Sequence, residues 1–255
     1  MHQAGAAATA TEPVSLPYQV RLAGNDRDMQ AAQALRFAVF NLELNEGLPA
    51  SYATGLDADP FDAVCEHLIV EDTRDGAVVG TYRMQTGLQA AAGLGYYSAR
   101  EFDLQGFEPQ RGRILELGRA CVHRQHRNFT VLNLLWRGIA AHARQCGARY
   151  LIGCSSLSSQ DPAQGVSAYR QLQGQRAPVE WQVRPQPGFA CDTLVEPIRP
   201  APIPRLMSAY LALGAAVCGP PALDREFGTI DFLTWLDLES PMMKAMQQRG
   251  RFLGG

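Results

Sequence analysis

The chain has 255 residues, 46% of them hydrophobic and 19% charged, with a formal net charge of −2. That balance excludes a disordered chain and offers no overall positive field for nucleic acid; it fits one elaborated α/β domain with a sizeable core. The six cysteines (Cys65, Cys121, Cys146, Cys154, Cys191, Cys218) contain no C-x-x-C pair, so no metal site is spelled out and free thiols in a cytoplasmic, reducing compartment are expected.

Residues 1–17 are Ala/Thr-rich without a cationic start or an apolar run, so they read as a disordered tail rather than a signal segment. Tyr18 to Leu22 alternates like a strand, and Asn25 or Asp26 caps a helix to Phe40 on the spacing of Met29, Ala32, Leu35, Phe37 and Phe40. Asn41 to Phe61 has no periodicity and several Gly and Pro residues, which at that length predicts a functional loop. Cys65 to Glu71 and Ala77 to Gln85 flank Thr73-Arg74-Asp75-Gly76, a hairpin signal. Gly87 to Gln110 reads as a connection with one helical turn near Tyr97 to Phe102.

Arg113 to Val122 then predicts a strand, Phe129 to Cys146 a helix with the stripe Val131, Leu134, Leu135, Ile139 and Ala143, and Arg149 to Ser155 a second strand. Strands joined by a crossover helix lie parallel, and this unit is the expected heart of the fold. A shorter helix follows Asp161-Pro162, Gly174 to Pro200 is irregular, and Pro204 to Leu213 is an apolar helix ended by Gly214. Ala215 to Cys218 and Glu226 to Leu238 close the domain as strands, with residues 239–255 expected as a flexible, weakly amphipathic tail. No stretch approaches the about 20 apolar residues that span a bilayer, so any membrane contact is peripheral; Pro204 to Leu213 and the tail residues Met242, Met243, Met246 and Phe252 read as core packing first and as such a contact second.

The chain has no G-x-S-x-G, no G-x-x-x-x-G-K-[ST], no H-E-x-x-H and no strand followed by G-x-G-x-x-G. What remains is a strand ending Glu116-Leu117-Gly118-Arg119-Ala120-Cys121-Val122, a basic connection with Arg124 and Arg127, and a helix start at Asn128. Free N–H groups and the dipole at a helix N-terminus hold phosphate, and these arginines would reinforce it; the alternative is a solvated basic loop.

The blocks Leu35 to Phe40, Asp57 to Asp62 running into Cys65 to Val70, Gly80 to Arg83, Glu116 to Arg119, and Tyr210 to Ala215 with Asp224 to Asp231 resemble the ornithine-lipid N-acyltransferases, relatives of the acyl-homoserine-lactone synthases. The resemblance spans about residues 18 to 238 and implies a GNAT fold, a mixed sheet flanked by helices with a C-terminal extension. It further implies acyl carrier protein as partner, its 4′-phosphopantetheine as the donor arm with no permanently bound cofactor, ornithine as acceptor, and a lyso-ornithine lipid as product. A signal synthase with the same donor, or a carrier-binding module without catalysis, are the alternatives. Two departures stand out. Arg127-Asn128-Phe129-Thr130 replaces a glycine-rich turn, which favours a single carrier phosphate over the pyrophosphate of coenzyme A, and Ser208 replaces a usual lysine.

Carried onto these positions, Glu116 is the candidate general base and Arg119 its companion. Three residues apart, they face opposite sides of a regular strand, so a β-bulge at Gly118 is needed to bring them together. The alternative holds Glu116 in a structural pair with Arg119 or Arg83. Arg36, Phe40, Asp57, Asp59, Asp62 and Arg83 form the implied acceptor pocket, or else only pin the Asn41 to Phe61 loop. Cys121, Val122, Arg124, Arg127 and Asn128 form the implied donor side, with backbone N–H groups near Cys121 and Val122 for the tetrahedral intermediate. The two strands are expected to part at Gly118 to Val122. His67 reads as a core residue before a catalyst, and Cys121 and Cys154 as small buried hydrophobes.

Overall fold

A computed structural model describes residues 17–197 and 199–248; the expected N-terminal tail, save residue 17, and residues 249–255 lie outside the described residues. Strand β1 (Tyr18–Leu22) leads into helix α1 (Asp26–Phe37), whose cap is Asn25, its side chain accepting from the Asp28 N–H at 3.0 Å. The helix runs on through a π-turn, Ala38–Glu43, and two short 3₁₀ turns, Pro49–Ala53 and Pro60–Ala63, complete the long loop. The expected hairpin is β2 (Glu66–Asp72) and β3 (Val78–Thr86), with Gly76 at φ 73° in the turn, where a side chain would be strained.

The segment Gly87 to Gln110 holds more structure than expected. Thr86 and Gln89 cap each other's backbone in a capping box that starts helix α2 (Gly87–Ala92), a T-x-x-Q signature readable in the sequence. Then come β4 (Ile114–Val122), α3 (Phe129–Gln145), β5 (Tyr150–Leu157), α4 (Pro162–Gln171), α5 (Arg205–Ala212), β6 (Ala216–Val217), β7 (Ala222–Asp224) and β8 (Thr229–Asp237). The predicted strand from Glu226 starts later, because Gly228, at φ 89°, turns the chain so that β7 folds back onto β8. Helix α6 (Pro241–Gln248) occupies the start of the expected tail. Its Met243 is 1% exposed and packs in the α3 core, so this part of the extension is held by apolar burial rather than left free.

The sheet order is β1-β2-β3-β4-β5-β8-β6, with β7 also on β8; β4 and β5 are parallel and the other pairs antiparallel. On one face the α3 stripe Val131, Leu134, Leu135, Ile139 and Ala143 packs against Leu68, Tyr82, Leu115 and Leu151. On the other, Leu35 of α1 and Val39 and Phe40 of the π-turn meet Cys121 and Phe227. Among the described residues no helix is long and apolar enough to cross a membrane.

Candidate active site

The centre of the sheet is open. β4 and β5 are in register only at Ile114↔Tyr150, Leu115↔Leu151 and Glu116↔Ile152, although β4 continues to Val122 and β5 to Leu157. At the crotch the strands still touch, since a Cβ on Gly153 would lie 2.2 Å from the Leu117 carbonyl oxygen. One residue further along β4 the space is free: a Cβ on Gly118 would meet nothing within 4 Å. Leu117 through Ala120 are accordingly half-buried in the middle of a central strand. In a strand whose neighbour has left, every second N–H points into the gap without a partner.

On its other edge β4 carries a bulge. Thr81 faces Cys121 and Arg83 faces Gly118, so β4 spends one more residue than β3 over this interval. The distorted residue is Arg119, at φ 49°, and not Gly118 as expected. The left-handed conformation costs a side-chain-bearing residue about 1–2 kcal/mol. Here three side-chain contacts of Arg119 oppose it: Asp57 at 3.2 Å, Asp59 at 3.0 Å and the Tyr97 hydroxyl at 3.1 Å.

The bulge puts Glu116 and Arg119 on one face, where both meet Tyr97. Glu116 is 4% exposed and accepts the backbone N–H groups of Tyr97 and Ser98, each at 2.8 Å. The alternative partners, Arg119 and Arg83, bond the aspartates and Tyr97 instead. Burial raises its pKa above the ordinary carboxylate value, and the two peptide N–H groups oppose that only in part. A carboxylate so held is oriented and more basic than usual, which suits proton removal from an ammonium or a water.

Around Arg119 the other polar candidates close into a ring. Arg36 bonds Asp62 at 2.5 and 3.0 Å and approaches Asp57 at 3.1 Å; Arg83 bonds Asp59 at 2.6 Å and Asp62 at 2.9 Å; Arg119 completes the circuit through Asp57 and Asp59. Each arginine thus meets two aspartates and each aspartate two arginines. All six side chains are at most 6% exposed, so the cycle is a charge-balanced unit taken out of water together. Burial pushes the Asp62 and Asp59 pKa values up, but the arginines outweigh it and hold both below the usual range. Tyr97 and Phe227 cover Arg119 at 4.9 and 4.6 Å from their ring centroids. The ring pins the long loop and leaves few groups free: the acceptor Asp57 Oδ2 and the donors Arg36 Nε and Arg83 Nη2 have no hydrogen-bond partner.

Phe40 is 8% exposed and packs edge-on against Phe227 beside Cys121. Burial pushes the Cys121 thiol up to about 12, which removes the thiolate a covalent route would need. His67 is 2% exposed, and its pKa is lowered chiefly by burial; its Nε2 lies 3.2 Å from the Asp62 carbonyl, consistent with a core role. On the donor side, Val122 and His123 stay tied to β3. Asn128 caps α3 by accepting the Val131 N–H at 3.0 Å. Arg127 is neutralised by Glu43 at 2.5 and 2.8 Å, which leaves exposed Arg124 as the cation at this helix start. Phe129, 78% exposed, stands at the same place. Two surface cavities, of about 510 and 420 Å³, lie elsewhere: one beside α1 and β2, touching the ring through Asp59 and Asp62, the other between α3 and α6.

Sequence reasoning missed Tyr97 and Ser98, whose backbone holds Glu116. It also missed the meeting of Glu101 with Asp231 and Cys154 on the same face of the sheet, where Cys154, expected as a buried hydrophobe, is half-buried. The dense aspartate spacing before β2 and the arginines Arg36, Arg83 and Arg119 on otherwise apolar elements were the local signals for the ion-pair ring, and nothing local pointed to the Glu101 cluster.

The Acetyltransferase (GNAT) domain model matches residues 35–137. The chain is 35% identical over 237 residues to the L-ornithine N(alpha)-acyltransferase of Brucella abortus, covering 87% of this chain and 84% of that one. To the L-ornithine N(alpha)-acyltransferase of Rhodobacter capsulatus it is 31% identical over 247 residues, covering 88% and 92%. Among solved structures it resembles the AHL synthase LasI (TM-score 0.52, 14% identity, 93% and 95% covered) and FeeM, an N-acyl amino acid synthase from uncultured soil microbes (TM-score 0.52, 12% identity, 90% and 98% covered). Those two likenesses establish the shared fold. With the identities above, over most of each chain, the protein belongs to the L-ornithine N(alpha)-acyltransferase family.

Proposed function

We propose that this protein transfers a fatty acyl group, 3-hydroxylated or plain, from the phosphopantetheine thioester of acyl carrier protein to the α-amine of ornithine, giving lyso-ornithine lipid for membrane lipid synthesis. The observation that carries this reading is the gap after Glu116↔Ile152, lying beside a buried carboxylate of raised pKa. The thioester arm enters between β4 and β5, with its phosphate near Arg124 and the start of α3. Glu116 takes a proton from the acceptor ammonium, directly or through water, since only the neutral amine attacks. The amine nitrogen bonds to the carbonyl carbon, and unpartnered β4 N–H groups in the Gly118 to Val122 stretch hold the developing oxyanion. The C–S bond then breaks, the thiol leaves with a proton, and the amide remains. Arg119 and Phe40 border the acceptor, and the ring of Arg36, Asp57, Asp59, Asp62 and Arg83 positions the Arg119 bulge and the loop wall.

Incubating the purified protein with 3-hydroxyacyl carrier protein and a panel of amino acids, with products read by mass spectrometry, tests the reading. Ornithine is the expected acceptor. Glu116→Gln should lower kcat on the order of 10²- to 10⁴-fold with little change in KM for the carrier. Carrier binding without acylation of any amino acid would overturn the assignment.

A further inference from the structure

The balanced ring has an unbalanced neighbour. Glu101 and Asp231 are 2% and 4% exposed and hydrogen-bond each other through the proton that Glu101 holds; apart from that shared proton, Glu101 Oε2 and Asp231 Oδ1 have no hydrogen-bond partner. One oxygen of each and the Cys154 sulfur all lie within 4.8 Å of one another. Among the described residues no lysine or arginine is paired with either carboxyl; the adjacent Arg100 is committed to Glu226 at 3.0 Å. Asp224 adds its negative field to both, and Glu46, itself 9% exposed with Oε1 unpartnered, feels that of Asp231. Two buried carboxyls without a paired cation cannot both ionise cheaply, so the pair either keeps a proton between them or takes a cationic ligand in its place.

The cluster faces the gap. Cys154 and Ser156 lie on β5 beyond its last pairing with β4, half-buried and exposed respectively, and Asp231 is the register partner of Ser156. Ser98 joins this cluster to the base: its backbone N–H binds Glu116 at 2.8 Å, and its hydroxyl accepts from the Cys154 thiol at 3.5 Å. A compact cation bound here therefore sits one side chain away from Glu116.

We propose that Glu101 and Asp231 bind the side-chain ammonium of a diamino acid acceptor, so that its α-amine is the one presented to Glu116 and the thioester. This rests on the acyl-transfer reading above. An ammonium offers three N–H donors, which match the two open oxygens and the sulfur or a neighbouring hydroxyl. A metal ion is a poorer match. Calcium takes 6–8 oxygen ligands and soft metals need a thiolate, whereas burial holds the Cys154 thiol well above its ordinary pKa. The three methylenes between the two amines of ornithine set which amine reaches the gap.

The test compares L-ornithine with L-norvaline, the same skeleton without the side-chain amine, in the wild type, Glu101→Gln and Asp231→Asn. Each variant should lower kcat/KM for ornithine on the order of 10- to 100-fold, mainly through KM. Norvaline rates and KM for the acyl carrier should stay unchanged, and acylation at the side-chain nitrogen should rise. Melting temperatures should be preserved or raised, because an unbalanced buried carboxyl has been removed. An unaltered ornithine-to-norvaline ratio, or equal loss of both acceptors in a variant that melts like the wild type, overturns the proposal. So does a wild-type preference that a chelator erases and a divalent cation restores. If the wild type acylates neither acceptor, the parent reading fails, and calorimetric titration of ornithine still decides this one: binding lost in both variants supports it, binding retained sinks it.

Discussion

Glu116 and Glu101 are both buried carboxyls, and their surroundings separate their uses. Two peptide N–H groups fix Glu116 as an oriented acceptor, while Glu101 has an acidic neighbour and an open oxygen. Burial first, and then the fields of Asp231 and Asp224, push Glu101 up to about 10, so the empty pair holds a proton near neutrality. A carboxyl whose pKa is higher folded than unfolded binds more protons in the folded state. Stability is therefore greatest below the ordinary value of 4.5 and declines as pH rises toward about 10. Thermal melts without acceptor should show Tm falling between about pH 6 and pH 9, and Glu101→Gln should flatten that fall. A slope equal to that of the wild type would show that the pair is already neutralised by something else. Glu116 was legible in the sequence because Glu116-Leu117-Gly118-Arg119 matches a family block. Glu101 was not, since its partner Asp231 is remote along the chain and only the fold joins them.

At the scale of elements, two glycines mark the two ends of one event, the parting of β4 and β5. Gly153 sits where the strands still touch, and Gly118 where they have separated. Gly153→Ala should force the crotch apart and destabilise the protein by about 1–3 kcal/mol, as overpacking does, read by urea unfolding. Gly118→Ala meets no atom, so stability should hold while acyl transfer falls, because the added methyl stands in the passage for the arm. Equal effects of the two on stability would contradict a gap that opens between them. The elements themselves were largely legible: the stripe of α3, the Asp-Gly hairpin and the strand before the helix follow from periodicity and turn chemistry. Helix α2 was hidden by its glycine and short length despite its capping box, and β7 by its size.

At the scale of the molecule, the ion-pair ring ties α1, the long loop, β3 and β4 into one unit through Arg36, the three aspartates, Arg83 and Arg119. Arg36 is fully buried and bridges Asp57 and Asp62, so Arg36→Met should destabilise by about 3–5 kcal/mol. The loss exceeds that of the missing contacts because two aspartates are left buried with less compensation. Chemical denaturation checks this, and a midpoint within error of the wild type would mean that water reaches the ring. Exchange of the same residue for lysine should recover little, since a point charge cannot meet both carboxylates in the geometry of a planar fork.

By itself the sequence determined the α/β class, the order of the principal elements, the parallel pair at the centre and the family, because these rest on local periodicity and on contiguous blocks of residues. It also dictated that Arg36, Arg83 and Arg119 need acidic partners, since buried charge must be balanced. Which partner each one takes, the shift of the bulge to Arg119, the capture of Glu116 by the Tyr97 and Ser98 backbone, and the meeting of Glu101 with Asp231 were decided only by the tertiary structure. Those contacts join residues far apart in the chain, and side-chain direction in a bulged or parted strand does not follow the two-residue period from which a sequence is read.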